Sequence, residues 1–380
     1  MSAVFANVPV MIMLTGALVG SASALLGTFL VLRGSAMLSD AISHAIVLGI
    51  ILVWLASGAH SGPLQIAGAV VAGVATVVLS EALARSRLVR MDAAIGLVFP
   101  ALFALGVLLI SLYARDVHID AHTVLLGEIG FVWLSTVSIA GVDVPVSVAS
   151  LSAVLVVNLG FVLVFYKELK LATFDAELAA ALGFAPGALF YGLLALTSAT
   201  AVASFEAVGA ILFVAFVVVP PATALLLTNR LDRMLLLAVG LAVAASLVGY
   251  HLAVAWDVSI GGTMASVTGV FFALALVLAP RHGILAQEAG RRGRQLDRDC
   301  QALVAHLYTH EGRAEAVEEN TAEALEDHLR WRIGHARRVI LRSLDRGLIA
   351  RQGTMLRLTD KGSAVARGIF EPWTRGAPVG

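Results

Sequence analysis

The chain has 380 residues, of which 59% are hydrophobic and 14% are charged, and its formal net charge is zero. This composition excludes an ordinary soluble protein, and the single cysteine, Cys300, excludes an intrachain disulfide framework and a multi-cysteine metal cluster. Charge is unevenly placed: residues 1–280 hold 9 Lys and Arg and 13 Asp and Glu, whereas residues 281–380 hold 17 and 13. We therefore expect four regions: a transmembrane domain (1–280), a basic linker (281–296), a small soluble domain (297–370) and a tail (371–380).

The transmembrane domain contains eight or nine apolar runs that are long enough to cross a bilayer. They lie at about 9–32, 37–57, 64–84, 93–113, 145–166, 187–204, 207–228, 233–256 and 262–280. The count stays open because only a few residues around Glu206 separate two of the runs. Pro220-Pro221 predicts a kink in the second of these, and the less apolar stretch 122–142 predicts a short or re-entrant helix.

If the chain has nine apolar runs, basic residues occur in the loop after every second run, beginning with the first. These residues are Arg33, Arg85, Arg87, Arg90, Lys167, Lys170, Arg230, Arg233 and Arg281. Because loops rich in Lys and Arg face the cytoplasm, the pattern places the soluble domain in the cytoplasm.

Asp40 and His44 open the second apolar run and stand four residues apart, on one face of a helix. Ionisable residues are costly in a membrane helix, and a carboxylate with an imidazole forms half of a site for a divalent transition metal. The alternative is that Asp40 caps the helix at the interface and His44 hydrogen-bonds a neighbouring helix. Weaker candidate ligands are His118, Asp120, His122, Glu206 and His251, for which the simpler interpretations are a polar outer loop and local hydrogen bonds.

A short helix is predicted inside the loop that follows Tyr166. Thr173 or Asp175 can cap its start, Glu177 lies in its first turn, and Gly183 can end it. The segment is either a docking element for a cytoplasmic partner or an ordinary surface helix.

Three motifs resemble the zinc/manganese/iron class of ABC-transporter permeases. They are the Leu32-Arg33 junction with Met37–Ala45, the segment Tyr166–Ala179, and the segment Val208–Ala224. Residues 117–128 are similar to the branch of that class associated with manganese and iron. Together the motifs cover nearly all of residues 1–280.

The resemblance implies an all-α polytopic permease in the bacterial inner membrane that imports a divalent cation, with manganese favoured over zinc and iron. It assigns metal coordination to Asp40 and His44, and the ATPase-coupling segment to residues 173–183, including Thr173, Phe174, Asp175, Glu177, Leu178 and Gly183. The implied partners are ATP-binding cassette ATPase subunits, an extracytoplasmic metal-binding protein and a second permease subunit, identical or paralogous. We expect no permanently bound cofactor and no enzymatic activity, since the chain contains no Gly-x-x-x-x-Gly-Lys-Ser/Thr phosphate loop.

Helices are predicted in the soluble domain at about 297–310, 319–328 and 331–346, followed by two short strands within Leu348–Thr359 and a final helix from Thr359-Asp360. This order resembles the winged-helix (α+β), DNA-binding part of metal-dependent repressors. We do not expect DNA as a partner, because the domain is tethered to a membrane and its net charge is modest. A regulatory role, contact with the ATPase and a structural appendage all stay open.

Two other classes of function are compatible with these patterns. One is a membrane-anchored, metal-responsive transcription regulator, and the other is an ion-driven secondary metal transporter. Internal inverted repeats would favour the secondary transporter, and we find none in the sequence.

Overall fold

The computed structural model describes residues 7–58, 63–114, 127, 129–139, 142–280, 283–311, 320–321, 325, 329 and 331–374. The chain divides into two compact units, Met1–Gly283 and Ile284–Gly380.

Where the structure describes it, the first unit is helical apart from one small hairpin. Its elements are α1 (Val8–Leu32), α2 (Met37–Ser57), α3 (Pro63–Arg85), α4 (Met91–Tyr113), a 3-10 turn (Ile129–Phe131), β1 (Thr136–Ile139), β2 (Val142–Pro145), α5 (Val146–Val164), α6 (Tyr166–Phe174), α7 (Ala176–Ala181), α8 (Pro186–Leu227), α9 (Leu231–Trp256) and α10 (Ile260–Leu278). Among the described residues, nine segments are long and apolar enough to cross a membrane, and α8 supplies two of them, Pro186–Phe205 and Ala207–Leu227.

The break in α8 lies at Gly209, whose φ of 75° and ψ of 171° are the only non-helical angles reported inside this element. This region of conformational space is essentially restricted to glycine. The helix runs on through Pro220 and Pro221. The helix continues past both prolines to Leu227, so the non-helical break lies at Gly209, and a bend at Pro220-Pro221 stays a prediction.

The stretch 122–142 also differs from its prediction. Where it is described, it forms the 3-10 turn and the antiparallel β1–β2 hairpin, in which Thr136 pairs with Pro145 and Ile139 with Val142. The predicted re-entrant helix is not found there, because the β-branched alternation of Thr136–Ile139 favours a strand.

The centre of the first unit is α1, in which every residue from Val19 to Leu30 is buried. It packs against α5, α8 and α9, while α2 packs against α3 and α4. Buried Asn158 on α5 links three helices, since its amide donates to the Thr200 hydroxyl (2.9 Å) and the Ala22 carbonyl (3.4 Å). Such bonds between membrane helices stabilise by about 1 kcal/mol each.

The second unit contains α11 (Ile284–His310), α12 (Ile333–Asp345), β3 (Ile349–Gln352), β4 (Met355–Leu358) and α13 (Asp360–Thr374). Strands β3 and β4 pair antiparallel around Gly353, whose φ is 62°. Its core includes Cys300, Leu303, Val339 and Leu356.

Two helices were predicted at the start of this unit; the first begins earlier than predicted, and the second is largely not described. The helix predicted from residue 297 begins at Ile284, within the segment assigned to a linker, because residues 285–288 are Leu, Ala, Gln and Glu, all good helix formers. The helix predicted at 319–328 lies largely outside the described residues.

Ion pairs join α12 to α11. Arg342 Nε and Arg346 Nη2 each lie 2.9 Å from Asp297 Oδ1, and His335 Nε2 lies 2.9 Å from Asp299 Oδ2. The hydrogen bond from Arg346, with a smaller contribution from Arg342, lowers the pKa of the Asp297 carboxyl below its usual 3.8. Because the folded-state pKa is depressed, the pair stabilises fully above the ordinary value, and this contribution is lost as the pH falls through the lowered pKa.

We therefore expect Asp297→Asn to lower the unfolding temperature of the second unit at pH 7, and the difference from wild type to begin to shrink near pH 3.8 and to vanish once the pH is below the lowered pKa. Buried Cys300, the single cysteine, reports the opening through its reaction with dithiodipyridine during heating. If the difference in unfolding temperature between wild type and Asp297→Asn is the same at pH 7 and at pH 3, the ionised Asp297 carboxylate does not stabilise this unit.

Candidate metal site and coupling surface

Asp40 and His44 lie one turn apart on α2, with 3.5 Å between Asp40 Oδ1 and His44 Nε2. Their side chains are 45% and 32% exposed in the single chain. The opposite side of the helix is buried, including Leu38, Ile42 and Ile46. The pair thus lies on a side of α2 that the rest of the chain covers only in part.

The imidazole of His44 is held by two aromatic rings from α4. Its ring stacks on Phe99 with centroids 5.6 Å apart and meets the edge of Phe103 at 5.8 Å. These rings restrict the orientation of the imidazole and leave its Nε2 beside the carboxylate. Sequence reasoning missed both residues; the only available signal was their four-residue spacing in an apolar run, which ordinary packing also produces.

The separation of the two donor atoms suits one bound cation. With metal–ligand distances of about 2.0–2.2 Å, atoms 3.5 Å apart subtend an angle of roughly 105–120° at the metal. A carboxylate oxygen and an imidazole nitrogen are ligands shared by manganese, iron and zinc. The arrangement can therefore bind a divalent transition metal without a change of backbone.

No third His, Cys, Asp or Glu joins the pair within the described part of the chain. His251 lies exposed on α9, where its ring meets the edge of Tyr250 at 5.5 Å. Glu206 lies within α8, directly before its break, and the structure does not describe its side chain. The candidates His118, Asp120 and His122 fall outside the described residues.

The segment after α5 contains two short helices rather than one. Asp175 separates them, and its carboxylate accepts a hydrogen bond from the backbone N–H of Leu178 at 2.8 Å, so Asp175, and not Thr173, caps α7. Gly183, with φ of 87°, follows the end of α7, and the N–H groups of Gly183 and Phe184 donate to the carbonyls of Ala180 and Ala179. This is the Schellman ending that glycine permits.

An apolar surface, formed by Phe174, Leu178, Leu182 and Phe184, is exposed on this segment. Large apolar side chains that stay exposed in a single membrane-protein chain are in contact with lipid or with another protein.

These features define a polytopic membrane protein of the transporter type, with a carboxylate–imidazole pair on an open helix face. The chain belongs to the ABC 3 transport family, whose sequence model matches residues 7–279.

Two curated relatives are 44% identical to this chain. The zinc transport system membrane protein TroD of Treponema pallidum (strain Nichols) aligns over 360 residues, 95% of this chain and 98% of its own length. The manganese transport system membrane protein MntD of Bacillus subtilis (strain 168) aligns over 288 residues, 76% of this chain and 97% of its own length. The chelated iron transport system membrane protein YfeC of Yersinia pestis is 32% identical over 271 residues.

Among solved structures, PsaBC from Streptococcus pneumoniae in complex with Fab superposes with a TM-score of 0.62 at 27% identity, covering 73% of this chain and 94% of that one. The chain is thus the permease subunit of an ATP-driven metal importer; it is not itself an enzyme, and the ATPase is a separate subunit. This conclusion replaces the ion-driven secondary transporter considered from the sequence.

Proposed function

We propose that this permease imports manganese across a bacterial inner membrane and that Asp40 and His44 bind the ion on its way. The observation that carries the proposal is the 3.5 Å carboxylate–imidazole pair on the partly covered side of α2. Oxygen and nitrogen donors without a thiolate suit manganese, although iron and zinc accept the same ligands. The relatives are named for zinc, manganese and iron, so the choice of metal rests on the donor set and on residues 117–128, which resemble the branch associated with manganese and iron.

Two ligands leave most coordination positions of a metal ion open. We infer that a second permease subunit, identical or paralogous, brings a matching pair to the partly covered face of α2. His118, Asp120 and His122, in the predicted outer loop, are proposed to receive the ion from an extracytoplasmic metal-binding protein.

Competition for uptake tests the choice of metal. Proteoliposomes that contain the complete transporter should accumulate radiolabelled manganese, and unlabelled zinc or iron should compete only in large molar excess. Zinc that displaces manganese at an equimolar concentration would contradict manganese as the preferred cargo.

We further propose that the exposed apolar surface of Phe174, Leu178, Leu182 and Phe184 contacts the ATPase subunit. Its four apolar side chains and its firmly capped short helix, α7, suit insertion into a groove on a partner.

Introducing a charge at this surface should uncouple the transporter. Leu178→Asp places a carboxylate in the proposed interface and leaves the backbone N–H that Asp175 caps in place; we expect metal uptake to fall at least about tenfold. The matched control is Leu88→Asp in the loop between α3 and α4, where the leucine is 84% exposed. If both variants transport equally well, the surface does not meet the ATPase.

The second unit is proposed to be a cytoplasmic, winged-helix-like domain that regulates the importer or contacts its ATPase. Support comes from the order of α11, α12, the β3–β4 hairpin and α13. The TroD alignment of 360 residues extends into this unit, whereas the MntD alignment of 288 residues is about as long as the first unit alone. The unit is therefore an addition to the transport machinery that some relatives work without.

A further inference from the structure

Arg33 connects the end of α1 to the start of α2 through a short, fixed segment. The N–H groups of Gly34 and Ser35 donate to the carbonyls of Val31 and Leu30 at 3.0 and 2.8 Å, and Gly34 has a φ of 67°. This Schellman ending fixes the direction of the chain, and α2 begins three residues later. A short, hydrogen-bonded connection therefore joins the backbone of Arg33 to the helix that carries Asp40 and His44.

The side chain of Arg33 reaches the elements on both sides of α7, in the segment proposed to contact the ATPase. Its Nη1 donates to the carbonyl of Ala172 in α6 at 3.3 Å, and its guanidinium carbon lies 4.5 Å from the centre of the Phe190 ring in α8. Ala172 precedes α7 and Phe190 follows it. One guanidinium therefore touches both flanks of the segment that we propose meets the ATPase.

The residue after Phe190 is fixed as well. The hydroxyl of Tyr191 donates to Glu81 Oε2 on α3 at 2.9 Å. Arg33, Glu81 and Tyr191 line a cavity of about 440 Å³ at this end of the helix bundle. The start of α8 is thus held by two polar contacts beside this cavity.

Arg33 is suited to hold such a contact. Half-burial lowers the pKa of its guanidinium from the usual value, yet arginine stays charged in proteins. A planar cation that stacks on an aromatic ring and donates to a carbonyl keeps a defined orientation, which the flexible ammonium of lysine does not.

We propose that Arg33 is a positioning residue that transmits movement of the ATPase-facing segment to the Asp40–His44 helix. This inference rests on the proposed roles of that segment and of the metal pair. When α6 and α7 move, the Ala172 carbonyl and the Phe190 ring move with them. The guanidinium carries the displacement through the short connection to α2 and so changes access to the metal pair.

The test compares variants of the complete transporter in proteoliposomes by three readouts: manganese affinity, ATP hydrolysis, and manganese transported per ATP hydrolysed. For Arg33→Ala we expect the amount of manganese transported per ATP hydrolysed to fall about tenfold or more, which lies within the usual range of coupling between sites. The affinity for manganese and the rate of ATP hydrolysis should stay within about twofold of wild type. Phe190→Leu removes only the stacking, and we expect its ratio of manganese transported to ATP hydrolysed to lie between the ratios of wild type and Arg33→Ala. The matched control is Arg230→Ala, which removes an exposed arginine paired with Asp232 in another loop.

An unchanged ratio in Arg33→Ala would overturn the proposal, as would a loss of manganese affinity equal to the loss of uptake. If Arg33→Ala fails to assemble, Arg33→Lys and Phe190→Leu decide, and unchanged ratios in both overturn it. Wild-type transporter that shows no ATP-dependent uptake would refute the proposed function itself; wild-type uptake with unaffected variants would refute only the role of Arg33.

Discussion

Replacing Asp40 with alanine is expected to lower ATP-dependent manganese uptake by at least about 100-fold. Even groups that only orient a metal ligand cost 10- to 100-fold when removed, and Asp40 is proposed as a ligand itself. The fold should persist, because the Asp40 side chain is partly exposed and contacts His44 on the same helix. Uptake of manganese and elution of the intact complex from a sizing column measure the two effects.

His44→Leu should reproduce the loss while keeping apolar contact with Phe99 and Phe103. The matched control is Asp92→Ala, which removes an exposed carboxylate from the first turn of α4. Wild-type uptake in both site variants would show that the metal does not pass this pair.

Gly209→Ala is expected to destabilise the transmembrane domain strongly, because it adds a side chain where the backbone conformation admits almost only glycine. Gly209 has φ of 75° and ψ of 171°, a combination that costs other residues of the order of 1–3 kcal/mol or more. A Cβ at nearby Gly127 would clash with the backbone of Val208 and Gly209, so the break is also tightly packed. We expect little folded protein, and a lower temperature at which the detergent-solubilised chain aggregates.

Gly240→Ala is the matched control, since this glycine is helical, exposed and free of neighbours within 4 Å of an added Cβ. There the same change should be neutral or stabilise by up to about 1 kcal/mol, because alanine favours helix. Equal stability of the two variants would mean that the break at Gly209 is not required for folding.

Hydropathy predicted the membrane helices well because bilayer thickness imposes their length. The positions of Asp40 and His44 followed equally directly from helical periodicity. The caps at Asp175 and Gly183 were also predictable, since both depend on local chemistry within one turn.

Features that depend on contacts between helices could not be predicted in this way. The break at Gly209 was not predicted, because neighbouring helices decide where a non-helical backbone is tolerated. The rings of Phe99 and Phe103 meet His44 only once α4 lies against α2. Arg33 looked like an orientation signal in the sequence, and only the packing of α6 and α8 around it reveals its contacts.

This chain is proposed to form the metal pathway of an ATP-driven importer. We would measure manganese uptake into proteoliposomes that contain this chain with its cognate ATPase and metal-binding protein, with and without ATP. We predict uptake that requires ATP and is abolished by Asp40→Ala. If uptake is equal without ATP, or if a demonstrably assembled complex takes up no manganese, the chain does not form the pathway of an ATP-driven manganese importer.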